Sequence, residues 1–211
     1  MNKPLIAIYS SSMQSGKSTV ASMLVKRLLA YRMAFAEPFY DFVINVATPF
    51  IGTVDETKAW LADERKDKGA IPGLTVPNEV DQEGSDVTLR WMLQSIGTQW
   101  GRNLIDRDLW TKLAERKALA NLPIAPVIFD DMRFPNEFEM IKRLGGKTIR
   151  VIRPGPPRGD TSTGEGLLDN HEFDYTISNH GTLQNLEGEV ACVARAIKFN
   201  NEYPIDHHRM A

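Results

Sequence analysis

Ser11-Ser12-Met13-Gln14-Ser15-Gly16-Lys17-Ser18 has the residue types and spacing to hold a polyphosphate. The phosphate-binding loop pattern is Gly, four residues, then Gly-Lys-Ser/Thr. Gly16-Lys17-Ser18 supplies its second half, while Ser11 stands where the first glycine belongs. In such a loop successive backbone N–H groups converge at a helix N-terminus, so donors and dipole together hold an anion. The residues from Ser11 through Thr19 are therefore expected to cradle a nucleotide. Lys17 would reach its β- and γ-phosphates, and the Ser18 hydroxyl would coordinate Mg²⁺. Ser11 departs from the pattern at a turn that glycine makes easily. A serine-rich turn that merely caps a helix would not require Gly-Lys-Ser at this offset.

A second group lies at Pro126-Val127-Ile128-Phe129-Asp130-Asp131, where two carboxylates close an apolar run. Ligands of open α/β sheets bind at the carboxyl ends of strands, and a carboxylate there can hold Mg²⁺ directly or through water. Asp131 is preferred to Asp130 for this role; turn formation or helix capping is the alternative for both. Arg133, two residues on, is a candidate for stabilising a transferring phosphate. Glu37, after the second predicted strand, could act as a base on a neutral hydroxyl, orient a sugar hydroxyl, or cap a helix.

The elements that must position these groups follow from periodicity. Leu5-Ile6-Ala7-Ile8-Tyr9 reads as a strand buried on both faces. Val20, Met23, Leu24 and Leu28 then mark a helix. A short strand is expected over 33–36 and a helix over 39–47. Thr53-x-x-Glu56 reads as a capping box opening a charged helix through Arg65. Residues 66–85, rich in Pro and Gly, read as a loop. Helices are expected over 87–100 and 108–120, the second capped by Asp106. Beyond them lie a strand at 124–129, a helix from Pro135 to Leu144 ended by Gly145-Gly146, and strands at 148–152 and 175–178. A closing helix carries Leu183, Leu186, Val190, Val193 and Ile197 as a core stripe. Strands alternating with helices predict a mostly parallel α/β sheet with right-handed crossovers.

Composition narrows the classes. The chain has 211 residues, enough for one domain and a small insertion, and a net charge of −2 from 25 basic and 27 acidic residues. A protein that grips a nucleic-acid polymer usually carries a basic excess, which is absent here. Cys192, the one cysteine, reads as a small buried hydrophobe on the closing helix. No apolar stretch reaches membrane-spanning length and no signal peptide is evident, so a cytoplasmic protein is expected. His207-His208 lies in a polar tail without further ligands at zinc spacing. His171 reads as a solvated loop residue, and Trp91, Trp100 and Trp110 as either core or base-stacking residues.

Longer motifs add specificity. Phe35-Ala36-Glu37-Pro38-Phe39, Arg90-Trp91-Met92-Leu93-Gln94-Ser95-Ile96-Gly97-Thr98, Gly101-Arg102, Asp108-x-Trp110, Asp131-Met132-Arg133-Phe134-Pro135-Asn136-Glu137 and Asp174-Tyr175-Thr176-Ile177-Ser178-Asn179 occur in that order. With these and the phosphate loop, the chain resembles the phage deoxynucleoside monophosphate kinase family of P-loop kinases over most of its length. The resemblance implies a three-layer α/β/α kinase fold in a single domain. Its core would span about 1–50 and 122–211, with a helical acceptor-binding insertion over about 51–121 and a short lid over about 154–173. It implies ATP as donor, Mg²⁺ as metal and a deoxynucleoside monophosphate as acceptor, in the host cytoplasm if the protein is phage-encoded. Arg90, Gln94, Thr98 and Arg102 then look like acceptor-site residues beside Glu37, Arg133 like a phosphate contact, and Arg153 or Arg158 like a lid arginine. Arg90 and Arg102 lie 12 residues apart, so one continuous α-helix would show them on a similar face.

A monophosphate is largely anionic at neutral pH, its second ionisation lying near pH 6 (an approximate value), and needs cations rather than a strong base. A nucleoside kinase using Glu37 as base, and a non-catalytic nucleotide-binding module, are the competing readings. The guanine-reading motif Asn/Thr-Lys-x-Asp is absent from the sequence, which argues against a GTPase switch. A homodimer stays open.

Overall fold

The computed structural model describes residues 3–12, 14–77, 79–81, 84–154 and 166–202, the last three as backbone only. Met13, Arg158, His207 and His208 lie outside the described residues. The chain divides into two compact units, one of residues 1–35 with 114–211, the other of residues 36–113.

The first unit is built on five parallel strands: β1 (Leu5–Tyr9), β2 (Tyr31–Met33), β5 (Val127–Phe129), β6 (Lys147–Ile152) and β7 (Tyr175–Ser178), in the spatial order β2-β5-β1-β6-β7. Every residue of β1 is buried. Side chains alternate across a strand, and here both faces are covered. Ile6 and Ile8 join Ile128, Ile149, Val151 and Ile177 beneath α1 (Lys17–Leu28) and α8 (Leu183–Glu202). Leu5, Ala7 and Tyr9 join Met33, Phe129 and Phe35 beneath α7 (Pro135–Arg143) and the later half of α6 (Leu109–Asn121). Phe35 stacks on Phe129 at 4.2 Å between centroids. This is the three-layer α/β/α arrangement, and it explains why β1 is a continuous apolar run.

Glycine and proline punctuate the unit as expected. Pro135 opens α7, and Gly145, at φ +71°, turns the chain out toward β6. In α8, Leu186, Val190, Val193 and Ile197 are buried, but Leu183 is 60% exposed and departs from the expected stripe. It is the first helical residue and lines a cleft instead. Cys192 is exposed rather than buried, because its neighbours Val190 and Val193 occupy the inward face.

The second unit contains α2 (Glu37–Ile51), α3 (Val54–Ala62), α4 (Arg65–Lys68), an antiparallel hairpin of β3 (Ala70–Thr75) and β4 (Asp86–Thr88), α5 (Leu89–Gln94), a π-helix (Ser95–Ile105) and the start of α6. Its own core gathers Val43, Ala47, Ile71, Val76, Val87, Leu89, Met92 and Leu93. Because Val43 and Ala47 belong to that core, α2 falls in this unit rather than with residues 1–35. The capping box is formed: Thr53 Oγ1 accepts from Glu56 N, and Glu56 Oε2 accepts from Thr53 N. The charged helix predicted through Arg65 is split at Asp63, which is extended.

Two expectations are corrected here. Residues 66–85 are not simply a loop: β3 pairs with β4 across a register shift, with Gly73 at φ +75°. Pro72 and Gly73 interrupt the alternation that would have announced a strand, yet Ile71 and Val76 are buried. The helix expected over 87–100 starts only at Leu89, after β4, and from Ser95 continues with i→i+5 bonding, ending with Asp106 N on Gly101 O at 2.9 Å. Twelve residues at 3.6 per turn make about 3.3 turns, which leaves Arg90 and Arg102 roughly 120° apart even on a continuous α-helix, and the wider π turn alters the twist between them again, so the expectation of a similar face does not hold.

Candidate active site

The loop from Ser10 to Gly16 leaves the carboxyl end of β1 and enters α1. β1 is also where the sheet order switches, with β5 on one side and β6 on the other, the position at which open α/β sheets bind ligands. Ser10, Ser12, Gln14, Ser15, Gly16, Lys17, Ser18 and Thr19 line one side of a cleft of ≈ 570 Å³. Arg133, Arg153, Asn179, Leu183 and Leu186 complete it.

Ser11 creates no difficulty in place of glycine. Among the described residues of the loop, positive φ falls on Gln14 (+56°) and Gly16 (+98°), not on Ser11. The turn there is held by Ser10, whose Oγ contacts Ser12 N at 3.3 Å and Ser12 O at 3.2 Å. A short side chain bonding its own backbone two residues on is a common substitute for a glycine turn. Gly16 is needed twice over: its φ suits glycine, and a Cβ there would sit 2.5 Å from Asn179 Nδ2.

The two aspartates behave differently. Asp130 accepts from both Nε and Nη2 of Arg32, a fork that commits it to an ion pair. Asp131 Oδ1 accepts from Phe35 N at 2.7 Å, tying the end of β5 to the segment after β2. Asp131 is not among the cleft-lining residues. Arg133 is. Its loop is fixed from behind by Glu137, only 4% exposed, whose Oε2 accepts from Arg133 N at 2.7 Å and Phe134 N at 3.1 Å. Glu137 was part of the Asp131–Glu137 motif, but its task of holding Arg133's backbone emerges only from the fold.

Other anchors surround the loop. Tyr9 donates to Asp169 Oδ1 at 2.9 Å, while Arg150 bonds the same carboxylate and the Asp169 carbonyl, each at 2.9 Å. Burial, and then the Asp169 hydrogen bond, push the Tyr9 hydroxyl up to about 12, so it remains a donor. Burial would raise the Asp174 carboxyl, but donors from Thr148 N, Thr148 Oγ1 and Lys142 outweigh it and hold it below its ordinary value. His171 is not a freely solvated ring; it packs edge-on against Phe138 at 4.9 Å.

Glu37, Arg90, Gln94, Thr98 and Arg102 all belong to the second unit. Glu37 is the first residue of α2, where a carboxylate suits the helix dipole. Arg90 Nε donates to Asp67 Oδ1 at 2.6 Å, and this bond holds Asp67 below its ordinary value. Gln94 closes α5, while Thr98 and Arg102 lie on the π-helix. Trp110 is core: it is 4% exposed and its indole N–H donates to Gly97 O at 2.8 Å.

Among the described residues no three His, Cys, Asp or Glu side chains form a metal cluster. Mg²⁺ keeps several waters and takes one or two protein ligands besides substrate phosphates. Ser18 and Asp131 are donors of the right kind. Among the described residues no helix is long and apolar enough to cross a membrane.

A glycine-lysine-serine loop joining a buried central strand to a helix, at the carboxyl edge of a parallel sheet, defines a P-loop protein with a kinase-like α/β fold. The model of the deoxynucleotide monophosphate kinase family matches residues 56–190, and the chain belongs to that family. A protein of Acanthamoeba polyphaga mimivirus described under the same kinase name is 28% identical over 198 residues, covering 88% of this chain and 94% of that protein. The deoxynucleotide monophosphate kinase of Enterobacteria phage T4 is 30% identical over 117 residues, 54% of this chain and 47% of that protein. Dephospho-CoA kinase from Campylobacter jejuni aligns over 92% of this chain and 97% of its own at 13% identity and a TM-score of 0.44, too loosely to carry weight.

Proposed function

We propose that this protein transfers the γ-phosphoryl group of ATP to a deoxynucleoside monophosphate, giving the diphosphate and ADP. The supporting observation is a cleft lined by Gly16-Lys17-Ser18 together with Arg133 and Arg153. Family membership directs the choice of acceptor. An oxygen of the acceptor phosphate attacks the γ-phosphorus as the bond to the β–γ bridging oxygen breaks, and ADP leaves with that oxygen. The acceptor oxygen is already anionic, so the chain's task is to position two anions and spread their charge. The loop N–H groups and the ammonium of Lys17 hold the β- and γ-phosphates, and Arg133 approaches the transferring group. Ser18, with Asp131 through an intervening water, would hold Mg²⁺, which would supply charge neutralisation for the transferring phosphate. Glu37, Arg90, Gln94, Thr98 and Arg102 serve the acceptor site. Arg90 would exchange Asp67 for the acceptor phosphate. Since both substrates are cytoplasmic metabolites, the reaction is placed there.

Coupled ADP release with ATP and Mg²⁺ tests the proposal against each deoxynucleoside monophosphate, ribonucleotide and free nucleoside, with Lys17→Ala as control. Turnover should require a deoxynucleoside monophosphate and vanish in the variant. Turnover with free nucleosides alone would transfer the role of base to Glu37. ATP binding that no acceptor converts into turnover would leave only a nucleotide-binding module.

A further inference from the structure

Arg153 Nη1 donates to Gln14 O at 3.0 Å, and Asn179 Nδ2 donates to Ser15 O at 2.8 Å. These are consecutive carbonyls of the phosphate loop. A trans peptide is planar, with its C=O and N–H pointing in opposite directions. Holding Gln14 O therefore aims the Ser15 N–H the other way, and holding Ser15 O does the same for the Gly16 N–H. We infer that Arg153 and Asn179 are positioning residues that hold two N–H donors of the loop in their phosphate-binding orientation before nucleotide arrives.

The backbone supports this. Gln14 is a non-glycine residue at φ +56°, a conformation that persists only where its surroundings over-determine it. Here the two donors take the carbonyl of Gln14 itself and that of Ser15 after it. Both come from rigid supports: Arg153 directly follows β6 and Asn179 directly follows β7, and Asn179 N donates to Ile152 O at 2.7 Å. The sheet edge thus acts as a template for the loop. A hydrogen bond on a peptide oxygen also polarises the amide, making its N–H a better donor. Arg153 in this geometry contacts the loop backbone, a task distinct from that of a lid cation meeting phosphate.

The inference rests on the reading of the loop as a phosphate cradle and not on the identity of the acceptor. Asn179 is the decisive position, being neutral, whereas Arg153 also attracts phosphate by its charge. Calorimetric titration of the full chain with inorganic tripolyphosphate, ATP and adenosine should show Asn179→Ala losing about fivefold in affinity for the first two and nothing for adenosine. In steady state the KM for ATP should rise more than kcat falls. The amide proton shifts of Ser15 and Gly16 in the free variant should move, a signal independent of ligand. Arg153→Lys, which keeps the charge but loses the fork, should weaken tripolyphosphate in the same direction. Wild-type tripolyphosphate affinity in Asn179→Ala, with unmoved Ser15 and Gly16 amides, would overturn the inference. Equal losses for adenosine and tripolyphosphate would also overturn it, since they would signify general damage. Failure of the wild-type protein to bind tripolyphosphate or ATP would instead defeat the underlying cradle reading, and the inference with it.

Discussion

Replacing Gly16 with alanine tests two features of the loop at once. Gly16 sits at φ +98° and ψ 10°, and an added Cβ would lie 2.5 Å from Asn179 Nδ2 and 3.5 Å from its Cγ. An L-residue in left-handed backbone costs roughly 1–2 kcal/mol. Relieving the clash requires the Asn179 carboxamide to swing away from Ser15 O, losing a hydrogen bond worth about 1 kcal/mol. The loop's binding conformation is then disfavoured by about 2–3 kcal/mol, or roughly 30- to 150-fold in nucleotide affinity. Titration of Gly16→Ala with ATP, followed calorimetrically, should show a loss in that range. Asn179→Ala removes the same hydrogen bond, so the two losses must not add. The double variant should be less impaired than additivity demands by about 1 kcal/mol, close to fivefold. Strict additivity would mean that Asn179 keeps its bond beside a Cβ, contrary to the geometry. Undiminished affinity in Gly16→Ala would refute both the backbone assignment and the contact.

Glu137→Ala deprives Arg133 N and Phe134 N of their shared acceptor, which should cost about 2–4 kcal/mol in urea unfolding; Glu137→Gln, keeping one acceptor oxygen, should cost about 1 kcal/mol. Either change should lower kcat more than it raises KM for ATP, and an unaltered kcat in both would detach Glu137 from Arg133. The Asp174 carboxyl is held below its ordinary 3.8, so its stabilising contribution is complete above that value and is lost as pH falls through the folded one. Acid unfolding should accordingly show a shallower pH dependence in Asp174→Asn than in the wild type; identical slopes would exclude Asp174 from the linkage. Trp110→Phe removes the indole donor to Gly97 O and should destabilise the protein by about 1–3 kcal/mol in thermal unfolding, with faster amide exchange across Ser95–Ile105; unaltered exchange there would show that Trp110 does not support the π-helix.

Local chemistry in the sequence carries its consequences directly. Gly16-Lys17-Ser18 between an apolar run and an amphipathic helix carries the pattern of a phosphate loop, whose donors are its own backbone. The Thr53–Glu56 box closes within four residues, and Pro135 and Gly145 delimit α7 by their own dihedral preferences. The sandwiching of β1 could be read from five consecutive buried-type residues, since a strand apolar on both faces needs cover on both.

What depended on tertiary structure lay in pairings across sequence distance. Asp130 and Asp131 are indistinguishable as neighbours in a sequence; Arg32, 98 residues away, takes the first, and Phe35 N bonds the second. Arg153 and Asn179 reach loop carbonyls 139 and 164 residues away, and neither spacing is visible as a local pattern. The β3–β4 hairpin and the π-helix likewise went against local reading, because packing of Ile71 and Val87 and the Trp110–Gly97 bond outweighed propensity. The sequence determined where a loop of phosphate-binding pattern falls and between which elements. Only the folded sheet, by bringing the ends of β6 and β7 beside the loop, decided what keeps its donors aimed.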